Sequence, residues 1–274
     1  MTHAEVPSID AEDPMPDTPP IVLCLSGHDP TGGAGLQADI ETLGRLGCHA
    51  STVVTALTVQ DSRDVVRVLP QAPADFLEQA CRVVRDLPLA AVKIGLLGSA
   101  GVARAVAELL RELPGVPVVL DPVLAAGGGT LLAREDLIEV LCGELLPWVS
   151  VLTPNIPEAE ALSGERQPGV CAKVLLRMGT RHVLITGTHD EGSEKVINRL
   201  FGPEGDAEWA WERLPHSYHG SGCTLASALA GYLAQGLDMR LACERAQVFT
   251  WEALAAGWRP GKGQHFPRRC NSLG

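Results

Sequence analysis

The run Gly220-Ser221-Gly222-Cys223 carries the most chemical information in this chain of 274 residues. Two glycines flank a serine, and a stretch of small apolar residues that is predicted to form a helix follows them. Such a turn exposes backbone N–H groups at the positive end of a helix, where an anion binds favourably. The same field is expected to lower the pKa of the Cys223 thiol. An anion site beside an activated side chain predicts phosphoryl transfer, although small residues that merely pack together remain an alternative.

Oxygen ligands for a metal ion follow two other predicted strands. Asp121 comes after one apolar run, and Asn155 and Glu158 come after another, three residues apart at the start of a predicted helix. A carboxylate at the end of a buried strand is costly unless it is paired or faces a metal. These three side chains therefore predict a hydrated Mg²⁺ site. Helix capping is the alternative, with Asp121 as an N-cap and Asn155 with Glu158 as a capping pair.

A glycine-rich segment, residues 26–39, leads from a predicted strand into a predicted helix. Its spacing matches neither the phosphate loop that ends in Lys-Ser/Thr nor the pattern Gly-x-Gly-x-x-Gly. It is either part of a binding site or a tight turn that lets helix and strand pack closely. Asp39 lies in the helix among apolar neighbours. Its carboxylate either reaches a ligand at the strand end or belongs to a solvated helix face.

The elements that must position these residues alternate between strands and helices. Short apolar runs predict strands at residues 21–26, 51–57, 91–95, 116–121, 149–153 and 182–187. Longer patterns predict helices at residues 34–46, 74–86, 99–112, 133–146, 156–164, 168–178, 221–236 and 239–257. Residues 195–214 alternate with period two around a Gly-Pro-Glu-Gly-Asp turn, which predicts an antiparallel hairpin at the sheet edge. The pattern predicts an α/β fold, a three-layer αβα sandwich with a mostly parallel central sheet, whose ligands collect at the carboxyl ends of the strands.

The composition argues against several other classes of protein. A formal net charge of −11 is unfavourable for a nucleic-acid partner. No apolar run approaches the roughly 18 residues of a membrane-spanning helix, so we expect no membrane association. Eight scattered cysteines without metal-ligand spacing indicate reduced thiols and a cytoplasmic location. We expect a disordered leader over residues 1–20, a single domain over residues 21–260 and a C-terminal tail over residues 261–274.

Six segments carry a family resemblance, namely residues 26–39, 55–60, 92–96, 119–123, 152–159 and 219–224. In this order and at these separations they resemble the ribokinase-like small-molecule kinases. Among these, the match is to the hydroxymethylpyrimidine/phosphomethylpyrimidine kinases of thiamine synthesis. The resemblance implies a ribokinase-like fold, ATP and Mg²⁺ as cofactors, and phosphorylation of 4-amino-5-hydroxymethyl-2-methylpyrimidine. It also implies a second transfer, onto the monophosphate formed in the first.

The resemblance also implies roles for individual residues. The pyrimidine pocket is expected to be lined by Gly27, Ala34, Asp39, Gln60, Leu96 and Val123. The anion hole is expected to consist of Gly220, Ser221 and Gly222, with Cys223 at the position of the catalytic base. Nucleotide phosphates are expected at Asn155, Glu158, Thr186 and Gly187, and the metal ion at Asp121 and Glu158. Leu96 stands where the family often has Met, which is a similar apolar wall.

Two cationic residues of the family pattern are missing from this chain. The segment after Val123 has no lysine, and Thr186 stands where the family often has one. Their phosphate contacts are either lost or supplied from elsewhere, for example by Lys262 or Arg268 in the tail.

Two other functions and the oligomeric state stay open at this point. The chain could be a pyridoxal or pyridoxine kinase, or a non-catalytic pyrimidine-binding protein. Gln60 favours a pyrimidine, because its amide offers both a donor and an acceptor to an aminopyrimidine edge. Because the chain has apolar helices and edge strands, we expect a homodimer.

Overall fold

The computed structural model describes residues 18–125, 130, 132–133, 135–188 and 194–270. Within these residues the strands are β1 (Ile21–His28), β2 (His49–Gln60), β3 (Val65–Pro70), β4 (Leu89–Ile94), β5 (Val118–Leu120), β6 (Val151–Leu152), β7 (His182–Ile185), β8 (Lys195–Phe201) and β9 (Ala207–Glu212). The α-helices are α1 (Gly35–Arg45), α2 (Pro73–Asp86), α3 (Ala100–Leu110), α4 (Glu135–Val140), α5 (Ile156–Ser163), α6 (Pro168–Arg177), α7 (Ser221–Ala234) and α8 (Met239–Ala255). The expected leader lies mostly outside the described residues.

One sheet contains these strands in the order β3-β2-β1-β4-β5-β6-β7-β8-β9. Pairing is parallel from β2 through β7, whereas β3 and the β8–β9 hairpin pair antiparallel at the two edges. The carboxyl ends of the parallel strands therefore meet along one edge of the sheet, where ligands bind in such folds.

Helices cover both faces of the sheet. Successive residues of β1 alternate between two buried clusters: Leu23 and Leu25 belong to one, Val22 and Cys24 to the other. The first cluster includes residues of α2 to α6, and the second includes residues of α1, α7 and α8. Because side chains alternate across a strand, each parallel strand contributes to both cores. The predicted three-layer αβα sandwich is confirmed.

Two elements differ from the prediction. Strand β3 was not predicted, because it pairs only with β2 and much of it is exposed, with Val66 81% accessible. The helix expected over residues 133–146 is α4, followed by a π-helical turn over Leu141–Leu145 and a 3₁₀ turn over Leu146–Trp148. Proline at position 147 cannot donate a backbone hydrogen bond and clashes with a regular helix, so the α-helix does not continue.

The segment after residue 260 packs against the domain. The backbone N–H groups of Gly263 and Gln264 bond to Ser62, and Phe266 and Arg269 are buried. These residues belong to the segment that we expected to be a C-terminal tail, residues 261–274. Its described part has little apolar periodicity and is held by backbone bonds and the buried ring of Phe266. Residues 271–274 lie outside the described part.

None of the helices in the described ranges is both long and apolar enough to cross a bilayer.

Candidate active site

A cavity of about 400 Å³ opens at the carboxyl ends of the parallel strands. The predicted site residues that line it are Gly27, Ala34, Gln60, Leu96, Asp121, Val123, Asn155, Glu158, Thr186, Gly220, Ser221, Gly222 and Cys223. Asp39 and Gly187 are not among the lining residues. The structure therefore brings most of the predicted residues around one space, although it leaves their roles as predictions.

The first turn of α7 forms one wall of this cavity. Its N-cap, Gly220, has a left-handed φ of 79°, and no side chain caps the turn. The N–H groups of Ser221, Gly222 and Cys223 therefore lack partners within the helix. A Cβ atom on Gly220 would lie 2.0 Å from the carbonyl oxygen of Gly33, so only glycine fits at this position. Three backbone donors at a positive helix end form a cradle suited to phosphate.

A second helix terminus meets the first at Cys223. Helix α1 also begins without a side-chain cap, and the backbone N–H of Gly35, its first residue, lies close enough to the Cys223 sulfur to lower the pKa of the thiol. Gly35 has a φ of 58°, and a Cβ atom there would lie 2.2 Å from the Gly27 carbonyl oxygen. The sulfur is therefore held where the positive ends of two helices converge.

The expected lowering of the Cys223 pKa is wrong for the protein without ligands. Burial raises the pKa of this thiol to about 12, and the carboxylates of Asp121 and Asp39 raise it as well. The ammonium of Lys93 and the N–H of Gly35 lower it, but by less. The sequence correctly indicated that Cys223 lies at a helix N-terminus. The opposing effects on its pKa, from burial and from the two carboxylates, depend on the tertiary fold.

Asp39 lies beneath the pocket rather than on its wall, which corrects the expected pyrimidine contact. Its Oδ1 is 2.8 Å from the Nζ of Lys93, and both side chains are fully buried. Ser227 donates a hydrogen bond to the same oxygen at 2.6 Å, and Lys93 donates to Ser26 at 3.0 Å. Burial would lower the pKa of Lys93, but the charge of Asp39 raises it above its usual value. Asp39 is therefore neither a ligand contact nor part of a solvated helix face.

The Asn155–Glu158 pair forms a capping box at the start of α5. Asn155 Oδ1 accepts the Glu158 N–H at 2.9 Å, and Glu158 Oε2 accepts the Asn155 N–H at 3.0 Å. Glu158 Oε1 accepts the N–H of Leu124 at 3.2 Å. The capping alternative is therefore correct for both residues, and their carboxylate and amide oxygens still line the cavity.

The negative charges of Asp121 and Glu158 are only partly balanced by positive charge in the site. Burial and the charge of Glu158 raise the pKa of Asp121, and Lys93 only partly offsets them. Among the described residues, no group of three or more His, Cys, Asp or Glu side chains is arranged to hold a metal. Mg²⁺ keeps several waters and is commonly held by one or two carboxylates with substrate phosphates. Two close, buried carboxylates therefore fit such an ion without a third protein ligand.

Gln60 reaches the cavity beside a buried His–Asp pair. His219 Nε2 is 2.9 Å from Asp29 Oδ2 and 3.2 Å from the Gln60 amide nitrogen. Asp29 also accepts hydrogen bonds from the N–H groups of Thr31 and Ala34. Burial raises the pKa of Asp29, but the hydrogen bonds from His219 and Thr31 outweigh burial and hold it at about 2. The ionised carboxylate thus fixes His219 next to Gln60.

The backbone N–H of Gly187 does not face the cavity, which corrects its expected phosphate contact. It donates to Asn198 Oδ1 at 3.0 Å. Asn198 donates in turn to Gln247 Oε1 at 2.9 Å, and Trp211 donates to the same oxygen at 2.9 Å. Thr186 does line the cavity. A buried polar network therefore anchors this strand end, and the expected phosphate contact of Thr186 stays a prediction.

Sequence reasoning missed three features of the site. Lys93 was not singled out, although a lysine within an apolar, doubly buried strand is itself a signal. The His219–Asp29 pair and Arg269 had no such signal, because their partners are 190 and up to 236 residues away in sequence. Lys262 and Arg268 are exposed and do not line the cavity, so neither replaces a missing phosphate contact.

Comparisons with known proteins agree on one family. The sequence pattern of the family described as phosphomethylpyrimidine kinase matches residues 29–268. The thiamine biosynthesis bifunctional protein ThiED of Geobacter sulfurreducens is 40% identical over 248 residues, which cover 88% of this chain and 50% of that protein. The hydroxymethylpyrimidine/phosphomethylpyrimidine kinase of Streptomyces coelicolor is 38% identical over 258 residues, covering 90% of this chain and 93% of that one. The solved structure of Staphylococcus aureus pyridoxal kinase in complex with ADP has a TM-score of 0.83 at 27% identity and covers 92% of this chain and 94% of that one.

The αβα sandwich and the phosphate cradle at its carboxyl edge define a ribokinase-like small-molecule kinase. The resemblance inferred from the six segments is confirmed at this level. The chain belongs to the phosphomethylpyrimidine kinase family, whose pattern spans most of its length.

Proposed function

We propose that this chain transfers the γ-phosphoryl group of ATP to 4-amino-5-hydroxymethyl-2-methylpyrimidine and then to the resulting monophosphate. The observation that carries the proposal is the meeting of two uncapped helix N-termini at Cys223, beside a cavity wall that bears Gln60 and Leu96. The reaction needs one site that binds the phosphoryl group and one that binds the flat, polar ring of the acceptor, and the cradle and this wall are suited to these two groups. Relatives named for both substrates support the same assignment.

The wall that we assign to the pyrimidine combines apolar surface with one amide. A Cβ atom on Gly27 would lie 3.0 Å from Leu96 Cδ2, so glycine lets the Leu96 side chain approach the strand closely. Gln60 is the polar group on this wall, and its amide can donate to one ring position and accept from another. Its amide nitrogen lies 3.2 Å from His219 Nε2, whose N–H donates to Asp29, so the amide remains available to a ligand.

The chemical step forms a bond between the acceptor oxygen and the γ-phosphorus and breaks the bond from that phosphorus to the β–γ bridging oxygen. In the first transfer the acceptor hydroxyl also loses its proton, whereas the second acceptor is already an ionised phosphate oxygen. We assign that proton to the Cys223 sulfur, which can accept it only as a thiolate. Because burial raises the pKa of the thiol to about 12, the thiol must first release its own proton to solvent. The N–H groups of residues 221–223 stabilise charge on the phosphoryl oxygens in both transfers. We therefore assign Cys223 chiefly to the first transfer.

Mg²⁺ would be held by Asp121 and Glu158 together with the nucleotide phosphates. When bound, it supplies positive charge for the phosphoryl oxygens and offsets the two carboxylates. Thr186, at the end of β7, is the polar side chain that we assign to the phosphates on that side, in place of a lysine.

The test is to incubate the purified protein with ATP and Mg²⁺ and, separately, hydroxymethylpyrimidine, its monophosphate and pyridoxal. Products are identified by mass. We expect the monophosphate from the first substrate and the diphosphate from the second. The structural similarity to the pyridoxal kinase of S. aureus makes pyridoxal kinase activity the second candidate function. Phosphorylation of pyridoxal alone would establish that function. Binding of the pyrimidine without ATP consumption would establish a non-catalytic binding protein and overturn the proposal.

Two further expectations are kept as proposals. The exposed apolar side chains of the β2–β3 edge, which include Leu57, Val59, Val66 and Leu69, support a homodimer; light scattering during gel filtration measures the mass. The eight cysteines are free, which supports a reducing, cytoplasmic location; fractionation of the source cells tests it.

A further inference from the structure

Arg269 joins the two loops that bound the phosphate cradle. Its side chain is 1% exposed. The guanidinium Nη2 donates to the carbonyl oxygen of Gly33, Nε donates to Thr224 Oγ1 at 2.9 Å, and Nη1 lies 3.1 Å from Glu41 Oε2. One planar group thus contacts the turn before α1, the body of α1 and the first turn of α7.

These contacts meet around Gly220. The Gly33 carbonyl that Arg269 binds is the one that a Cβ atom on Gly220 would strike at 2.0 Å. Thr224 Oγ1, the second acceptor of Arg269, itself donates to the Gly220 carbonyl at 2.7 Å. Neither helix has a side-chain cap at its N-terminus. Arg269 therefore ties the two termini together in addition to the His219–Asp29 pair, which links the segments just before them.

We propose that Arg269 is a positioning residue for phosphoryl transfer. It fixes the turn at residues 32–35, which holds the acceptor, relative to the N–H groups of residues 221–223, which hold the phosphoryl group. This inference rests on the proposed function. Transfer depends on aligning acceptor and phosphorus, and a displacement of about 1 Å can cost on the order of 10²-fold in rate. Arg269 is outside the cavity lining and therefore acts through the two loops rather than on the substrates.

Arginine and lysine differ at such a position. The guanidinium presents its donors in a rigid fork, whereas a lysine ammonium keeps the charge but cannot reach acceptors in several fixed directions. Both Arg269→Lys and Arg269→Met should therefore loosen the link. Arg268→Met is the matched control, because Arg268 is the exposed neighbour whose Nε donates only to the Ala256 carbonyl at 3.2 Å.

The experiment measures steady-state kinetics with hydroxymethylpyrimidine and ATP for the wild type and the three variants. We expect kcat to fall on the order of 10²-fold in both Arg269 variants, with the KM of each substrate within about threefold and Arg268→Met within about twofold of the wild type. A fourth variant, Arg269→Ala, leaves space for a small cation; added methylguanidinium should restore part of its kcat and leave the other proteins unchanged. A rise in KM with unchanged kcat, or Arg269 variants that match Arg268→Met, would overturn the proposal.

Amide hydrogen exchange tests the same link without activity. Peptides that cover residues 29–36 and 219–225 should exchange faster in the Arg269 variants than in Arg268→Met, while the central sheet is unchanged. Unchanged exchange in both peptides would also overturn the inference. If the wild type phosphorylates no substrate, the proposed function fails and the exchange result alone decides on Arg269. If Arg269→Met does not fold, Arg269→Lys, which keeps the charge, carries both measurements.

Discussion

Removing the ammonium of Lys93 should be among the most destabilising single changes in this protein. Lys93 Nζ and Asp39 Oδ1 are 2.8 Å apart and both side chains are fully buried, and the second carboxylate oxygen, Oδ2, has no hydrogen-bond partner among the described residues. Lys93→Met therefore leaves a buried carboxylate with only the Ser227 hydroxyl to stabilise it. Breaking a buried ion pair in this way costs about 3–5 kcal/mol. Asp39→Asn leaves the opposite charge unpaired and should cost a similar amount.

The double variant Lys93→Met/Asp39→Asn is the decisive comparison. Replacing both charges by neutral groups of similar shape is often close to neutral, so its free energy of unfolding should exceed that of either single variant by about 2 kcal/mol or more. Urea unfolding followed by fluorescence of the five tryptophans measures all four proteins. The exposed pair Arg85–Glu112, 3.6 Å apart, is the control, and its disruption should cost less than about 1 kcal/mol. Single-variant losses that simply add in the double variant, within about 0.5 kcal/mol, would refute the interaction.

Three further predictions concern the cradle and the His–Asp pair. Cys223→Ala should slow the first transfer on the order of 10²-fold and the second by less than about twofold; equal loss with both acceptors in the mass assay would contradict this. Gly222→Val should abolish turnover but leave pyrimidine binding by calorimetry largely intact, whereas Gly222→Ala is the milder control, since its Cβ would lie 3.4 Å from Asp121; retained turnover in Gly222→Val would show that the N–H groups are not needed. The depressed pKa of Asp29, about 2 against an ordinary 3.8, stabilises the fold by about 2 kcal/mol above pH 4, and this contribution is lost as the pH falls through 2. The free energy of unfolding, measured with urea, should therefore fall more steeply between pH 5 and pH 2 for the wild type than for Asp29→Asn. Parallel decreases in the two proteins would refute the assignment.

The sheet could be predicted largely because buried parallel strands leave a strong pattern. The run that became β1 is apolar over residues 21–25 and the run that became β4 is apolar apart from Lys93, since both faces are covered by helices. Strand β3 was missed although Arg67 is its only charged residue, because it lies at an edge, has one partner strand and ends in proline. The hairpin of β8 and β9 could be predicted at the other edge because its period-two alternation flanks an obvious turn.

The site could be predicted in its location but not in its electrostatics. The ends of β1, β5 and β6 and the start of α7 were correctly identified as places where polar groups meet. The pKa of Cys223 could not be predicted, because it depends on Asp39, Asp121 and Lys93, which come from three other elements. Asp39 itself was misassigned for the same reason: its partner, Lys93, lies on β4 and is separated from it in sequence by β2, β3 and α2.

The position of Arg269 near the C-terminal end has a consequence for the order in which the protein is made. Its contacts with Gly33 and Glu41 close loops of 236 and 228 residues. Domains begin to fold during synthesis from the N-terminal side, so the turn before α1 is translated long before the residue that secures it. The sheet and most helices can form on the ribosome, but the cradle is completed only when Arg269, 236 residues after Gly33, has been synthesised and can fold back. The nascent chain is thus expected to be a folded sheet without a finished catalytic site.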